Sequence, residues 1–203
     1  MAPPRKHQTD VILDAARTLV LTDGPRAASV GAIAKASGAP AGTLYHRFTN
    51  RDGILAAAWL RALIRFQDRA LAATAATALE SAVATAVAAI EFMRAVPDDA
   101  RLLVALRPGD LLDDEHDLQQ TLADQNAPLI DRLNGFAREL YGSTDPRCTD
   151  AVARAIVDLP YAVVRRHANT TPIPDWLETD VAAAARALLT SFDGVSGRPD
   201  RGS

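Results

Sequence analysis

Apolar residues recur along this chain at three- and four-residue intervals, the spacing that gathers them on one face of an α-helix. Val11, Ile12, Ala15, Ala16, Leu19 and Val20 make the inner face of a first helix, which Gly24-Pro25 stops. Ile54, Leu55, Ala58, Trp59, Ala62, Leu63 and Phe66 do the same for a long fourth helix, which runs from about Arg51 into an alanine-rich stretch. No segment alternates in the manner of a strand. Helix punctuation supplies the rest. Thr77-Ala-Leu-Glu80 has the form of a capping box and opens a fifth helix reaching about Ala95. Pro97-Asp98 starts a short sixth helix that Pro108-Gly109-Asp110 ends. A seventh runs from about Glu115 to Tyr141, with a kink at Pro128 and a stop at Gly142. Asp145-Pro146 opens an eighth, carrying Ile156, Pro160, Tyr161 and Val164, and Pro174-Asp175 opens a ninth ending near Phe192. The pattern predicts an all-α fold of about nine helices, with a polar, disordered tail over 195–203.

The stretch from Ser29 to Arg51 departs from simple amphipathic packing. Ser29 is placed to cap a second helix whose apolar face is Val30, Ile33 and Ala34. Gly38 supplies the left-handed residue of a sharp reversal, and Pro40 suits the first turn of a third helix. On that helix Leu44 and Phe48 face inward, which leaves Ala41, Gly42, Thr43, His46 and Arg47 outside and Tyr45 at the margin. Small residues at its start let the helix approach the floor of a major groove. Thr43, Tyr45, His46 and Arg47 then reach phosphates or base edges. Arg51 follows the N-cap residue Asn50, so it stands in the first turn of the next helix. There a cation is favourable when it shares an anion with the exposed N–H groups. The motif is a helix-turn-helix.

Charge divides along the chain in the same sense. Residues 1–65 hold nine basic side chains against four acidic ones, a net +5, which leaves −8 for the remainder to reach the chain's −3. A basic head on an acidic body suits phosphate contact at one end. Hydrophobic residues form 48% of the 203, enough for a substantial core. No apolar run is long enough for a membrane span, and the N-terminus lacks a secretory signal region. One cysteine, Cys148, excludes an intrachain disulfide and agrees with a cytoplasmic location.

An amphipathic helix ending at Gly24, then Ser-Val-x-x-Ile-Ala-x-x-Ser-Gly, then Gly-Thr-Leu-Tyr-x-x-Phe-x-x-Arg-Asp, resembles the TetR/AcrR-type transcriptional regulators. The match covers about residues 9 to 55. The resemblance implies a homodimer on a palindromic operator in double-stranded DNA, released by a small ligand bound in the C-terminal domain. It also implies phosphate contacts from Thr43, Tyr45 and Arg51. Ala39 and Pro40 stand where the family usually has a larger aliphatic and a serine or threonine. Arg47 stands where histidine is frequent, and Arg51 replaces lysine. The expected DNA-binding set is thus Ser29, Pro40, Ala41, Gly42, Thr43, Tyr45, His46, Arg47 and Arg51. The expected domains are a DNA-binding head over 1–50 and a ligand-binding, dimerising body over 51–194.

Enzyme chemistry finds little support. The glycines around Gly42 match no nucleotide-binding spacing. His7, His46, His116 and His167 are scattered, with no paired metal-ligand motif. The acidic run Asp110, Asp113, Asp114, Glu115 and Asp117 lacks a calcium-loop pattern. No catalytic residue, metal or cofactor is expected. Cys148, beside Arg147 near a helix start, is a candidate reactive thiol, with a quiet structural cysteine the plainer reading. Trp59, Phe66, Phe92, Met93, Leu103, Leu106, Leu122, Gln125, Asn126 and Phe136 are candidate lining for an apolar effector pocket, or else core. Ala151, Ala155, Val163 and Val164 on the eighth helix, with Val181, Ala184, Ala185, Leu188 and Leu189 on the ninth, are expected to form a four-helix dimer interface. The alternative is a regulator of the same motif controlled by a protein partner, with no small-molecule ligand.

Overall fold

The computed structural model describes residues 5–107, 109 and 115–192, with only the backbone described for residues 5–7 and 115–119. The tail expected over 195–203 lies outside these residues, as do Asp110, Asp113 and Asp114. Among the described residues every regular element is helical: α1 (Arg5–Asp23), α2 (Val30–Ser37), α3 (Ala41–Phe48), α4 (Arg51–Ala72), α5 (Ala78–Ala95), α6 (Pro97–Ala105), α7 (Glu115–Tyr141), α8 (Pro146–Ala153), α9 (Leu159–His167) and α10 (Leu177–Ser191). A π-helical stretch, Arg154–Asp158, joins α8 to α9 without a break. Counted as one rod, these give the nine helices the sequence predicts.

The π-helical stretch answers to Pro160. A proline ring collides with the carbonyl four residues back and offers no N–H to it. Widening the turn just ahead of Pro160 relieves that conflict, and Leu159 N–H bonds to the Arg154 carbonyl five residues away. The chain also runs through Pro128 within α7.

The helices fall into two compact units. One holds the described residues up to Phe66 and those between Met93 and Asp124; the other holds Gln67–Phe92 and the described residues from Gln125 onward. In the first, Ile12, Leu13, Ala16 and Val20 of α1 pack with Ile33 of α2, Leu44 of α3, and Ile54, Leu55, Ala58 and Ala62 of α4. Leu102 and Leu106 from α6 and its end complete this core. Val11, expected on the inner face, is instead exposed, because the buried stripe runs through Leu13.

In the second unit α10 packs on α8, the π-helical stretch and α9. Arg132 of α7 donates to the Leu71 carbonyl at 2.9 Å and to that of Ala73, so a cation caps the carbonyl end of α4. Its guanidinium lies 5.1 Å from the Phe136 ring centre, and burial pulls its pKa below the ordinary arginine value. Thr77 caps α5 through the Glu80 N–H at 3.1 Å. The Glu80 carboxylate does not close the capping box; it takes two hydrogen bonds from Arg186 of α10, at 2.6 and 2.7 Å.

Candidate nucleic-acid interface

Local rules set the turn between α2 and α3. Ser29 Oγ accepts from Ala32 N–H at 3.1 Å, and Gly38 closes α2 with φ +70°, which a residue without Cβ adopts freely. Pro40 takes the N-cap position of α3, one residue ahead of the first-turn place expected for it. Leu44 is fully buried and Phe48 is half-buried against the same core. The opposite face of α3 carries exposed Ala41, Gly42, Tyr45 and His46, with Thr43 and Arg47 partly covered. Thr9 of α1 joins Gly42, Thr43, His46 and Arg47 around a surface hollow.

The arginines near this face are held by the protein itself. Arg47 Nη1 donates to Thr9 Oγ1 at 2.8 Å and Nη2 to Gln8 Oε1 at 3.3 Å. Arg51 Nε donates to the Ala28 carbonyl at 3.2 Å, while Nη2 meets the Pro25 carbonyl and Nη1 meets Asp52. Arg51 therefore ties the start of α4 to the turn before α2. With one bond from each of its three nitrogens, two of its five N–H donors remain. Arg61 bridges Asp10 and Asp14 at 2.9 and 2.6 Å. The basic excess read along the sequence thus serves internal structure in large part.

The junction after α3 is tight. Thr49 takes φ +66° and ψ −53°, and Asn50 N–H bonds to the Phe48 carbonyl at 2.7 Å. This is the strained form of the γ-turn, unusual for a β-branched residue. Asn50 Oδ1 then caps α4 through the Gly53 N–H at 2.8 Å. A Cβ at Gly53 would overlap the Phe48 carbonyl oxygen, so only glycine fits this approach of α4 to α3.

The candidate pocket residues are divided between the units. Trp59, Phe66, Met93, Leu103, Leu106 and Leu122 belong to the first, and Phe92, Gln125, Asn126 and Phe136 to the second. Trp59 and Leu103 pack on the head core with Leu106. Gln125 and Asn126 turn to a partner the sequence did not disclose. Gln67, 2% exposed, donates to Asn126 Oδ1 at 2.7 Å and accepts from Gln125 Nε2 at 2.9 Å.

Most of the expected interface residues are covered within the chain. Ala151, Ala155, Val164, Val181, Ala185 and Leu189 are buried, in the second unit where α10 meets the α8–α9 rod. Val163 and Ala184 are partly covered, and Leu188 is exposed together with Val157 and Tyr161. Cys148 is fully buried, its Sγ 3.5 Å from Asp145 Oδ2, without the exposure that a reactive thiol needs. The Cys148 and Arg147 N–H groups in turn bond to Asp145, and those bonds hold its carboxyl below the usual range. His167 faces the Trp176 ring edge-on, and the side chains of His7 and His116 lie outside the described ones. Among the described residues no His, Cys, Asp and Glu cluster is fit to hold a metal, and no helix is long and apolar enough to cross a membrane.

Comparison with known proteins gives the same answer as this geometry. Residues 12–58 match the family model of the bacterial regulatory proteins, tetR family. The HTH-type transcriptional regulator AlkX of Mycobacterium tuberculosis (strain ATCC 25618 / H37Rv) is 28% identical over 183 residues, which are 90% of this chain and 83% of that protein. The solved structure of the fatty acid degradation regulator FadR from Bacillus halodurans shares the fold, with a TM-score of 0.69 and 20% identity over 90% of this chain and 98% of that one. A TetR family transcription regulator from Marinobacter aquaeolei VT8 matches with a TM-score of 0.71 and 18% identity, covering 90% and 95%. The capped turn, the polar outer face of α3 and the family match over them identify residues 12–58 as an N-terminal domain of the tetR family of bacterial regulatory proteins, in a chain similar over 90% of its length to TetR-type transcriptional regulators.

Proposed function

We propose that this regulator is a homodimeric repressor that lays α3 of each protomer in the major groove of a palindromic operator. A small molecule taken up among the C-terminal helices releases it. The observation that carries the DNA reading is the outer face of α3. Ala41 and Gly42 present almost no side chain, while Thr43, Tyr45 and His46 project polar groups from a helix anchored by Leu44. Such a helix approaches base edges closely, with flanking groups on phosphates. Ser29, Pro40, Arg47 and Arg51 complete the contact set, Arg51 through its two remaining donors at the start of α4.

The partner copy seats on exposed Val157, Tyr161 and Leu188, with Val163 and Ala184 at the margin. Release works through α4, which holds residues of both units. A ligand acts only through its different affinity for docked and undocked spacings of the two heads. A second reading, control by a protein partner, is favoured by one observation: Gln125 and Asn126, the polar groups expected to meet a ligand, are bonded to Gln67.

Binding of the full chain to duplex DNA tests the first part. Tyr45→Ala and His46→Ala should each weaken binding about tenfold or more while leaving thermal unfolding unchanged. Wild-type affinity in both would overturn the placement of α3.

A further inference from the structure

Two residues outside the helix-turn-helix reach its reading face. Gln8 and Thr9, in α1, receive both terminal nitrogens of Arg47, at 3.3 and 2.8 Å. Thr9 shares the surface hollow with Gly42, Thr43 and His46. An arginine on an open helix face samples many rotamers, and docking in a groove must freeze one of them. The bonds to Gln8 and Thr9 hold Arg47 before any DNA arrives. They take two of its five N–H donors and leave three, the Nε hydrogen among them. Two of those are enough for the bidentate edge that reads guanine O6 and N7.

We propose that Gln8 and Thr9 are positioning residues for base reading. They fix the Arg47 guanidinium so that its remaining fork meets a guanine in each half-site. The inference rests on the reading of α3 as the DNA-reading helix. It makes sequence preference depend on α1, and it is specific to a chain with arginine at position 47.

The test uses the full chain and a pool of randomised duplexes, then the ratio of affinity for the enriched sequence over an unrelated duplex at fixed salt. Gln8→Ala combined with Thr9→Val should lower that ratio about tenfold, the scale of one lost bidentate contact. The loss should fall at the same base pair that Arg47→Ala relaxes, and it should add nothing in the Arg47→Ala background. Thr9→Ser, which keeps the hydroxyl, should retain the preference when Gln8 is intact. Affinity for unrelated DNA and its salt slope should be unchanged, because the charge of Arg47 remains. A wild-type ratio in the Gln8/Thr9 variant, relaxation at a different base pair, or losses that multiply with Arg47→Ala would each overturn the proposal. If the wild-type chain enriches no sequence, or if Thr43→Ala, His46→Ala and Arg47→Ala all leave preference intact, the reading of α3 itself fails and the proposal falls with it.

Discussion

Arg17 of α1 donates a hydrogen bond to Asp99 of α6, and the carboxylate that receives it is 1% exposed. Arg65 of α4 bonds to the other oxygen at 2.8 Å. One buried charge thus joins three helices of the first unit. Burial pushes the Asp99 carboxyl up, but hydrogen bonds from Arg65 and Arg17, with the charges of both, outweigh it and hold the group below the usual carboxylate range.

Asp99→Asn should cost about 3 kcal/mol of stability near neutral pH, since it leaves two arginines around a neutral amide. The pH dependence follows from the sign of the shift. Unfolded Asp99 titrates near 3.9, and the folded group titrates lower. Its contribution is therefore complete above about pH 4 and is lost as pH falls through the folded value. Denaturant unfolding across pH should show the wild-type chain losing stability in that acid window, with the difference from Asp99→Asn shrinking there.

Gly53→Ala should destabilise the protein by about 1–3 kcal/mol, the scale of overpacking. In an ordinary helix the same change is favourable by about 1 kcal/mol. The sign reverses here because the new Cβ overlaps the Phe48 carbonyl oxygen. Thermal unfolding reads the sign directly.

Thr49→Gly should raise stability by about 1 kcal/mol, because strain at a positive-φ residue of this kind is about 1–3 kcal/mol and exceeds glycine's entropy cost. Chemical denaturation of the full chain measures it.

Arg51→Lys should lower stability by about 1–2 kcal/mol, since an ammonium cannot reach the Ala28 carbonyl, the Pro25 carbonyl and Asp52 with one planar fork. The charge at the start of α4 persists, so the salt slope of DNA binding should stay the same. Calorimetry and a salt titration separate the two effects.

What the sequence disclosed follows the range of the interactions. Ser29, Gly38 and Asn50 act on N–H groups within a few residues or on their own backbone, so capping rules locate them. Leu44 and Ile33 lie on periodic faces and are buried as expected. Asp99 is different: its partner Arg17 is 82 positions away, and Pro97-Asp98-Asp99 reads only as an acidic helix start. Gln67 sits 59 positions from Asn126, inside an otherwise apolar helix face. The alanines of α8 and α10 show the same limit. Small residues announce close helix packing, but their spacing is the same whether the other helix belongs to this chain or to a second copy. Gly53 carried a local signal, a glycine in the first turn of a strong helix, whose cause needs the position of Phe48.

The central claim, that two copies of α3 read DNA together, is tested most directly by selecting duplexes bound by the full chain from a randomised pool. The account predicts an inverted repeat with half-sites about 34–36 Å apart, or a multiple of that, and two protomers or more on each duplex. Enrichment of a single unrepeated site bound by one protomer, or of no sequence at all, would contradict it.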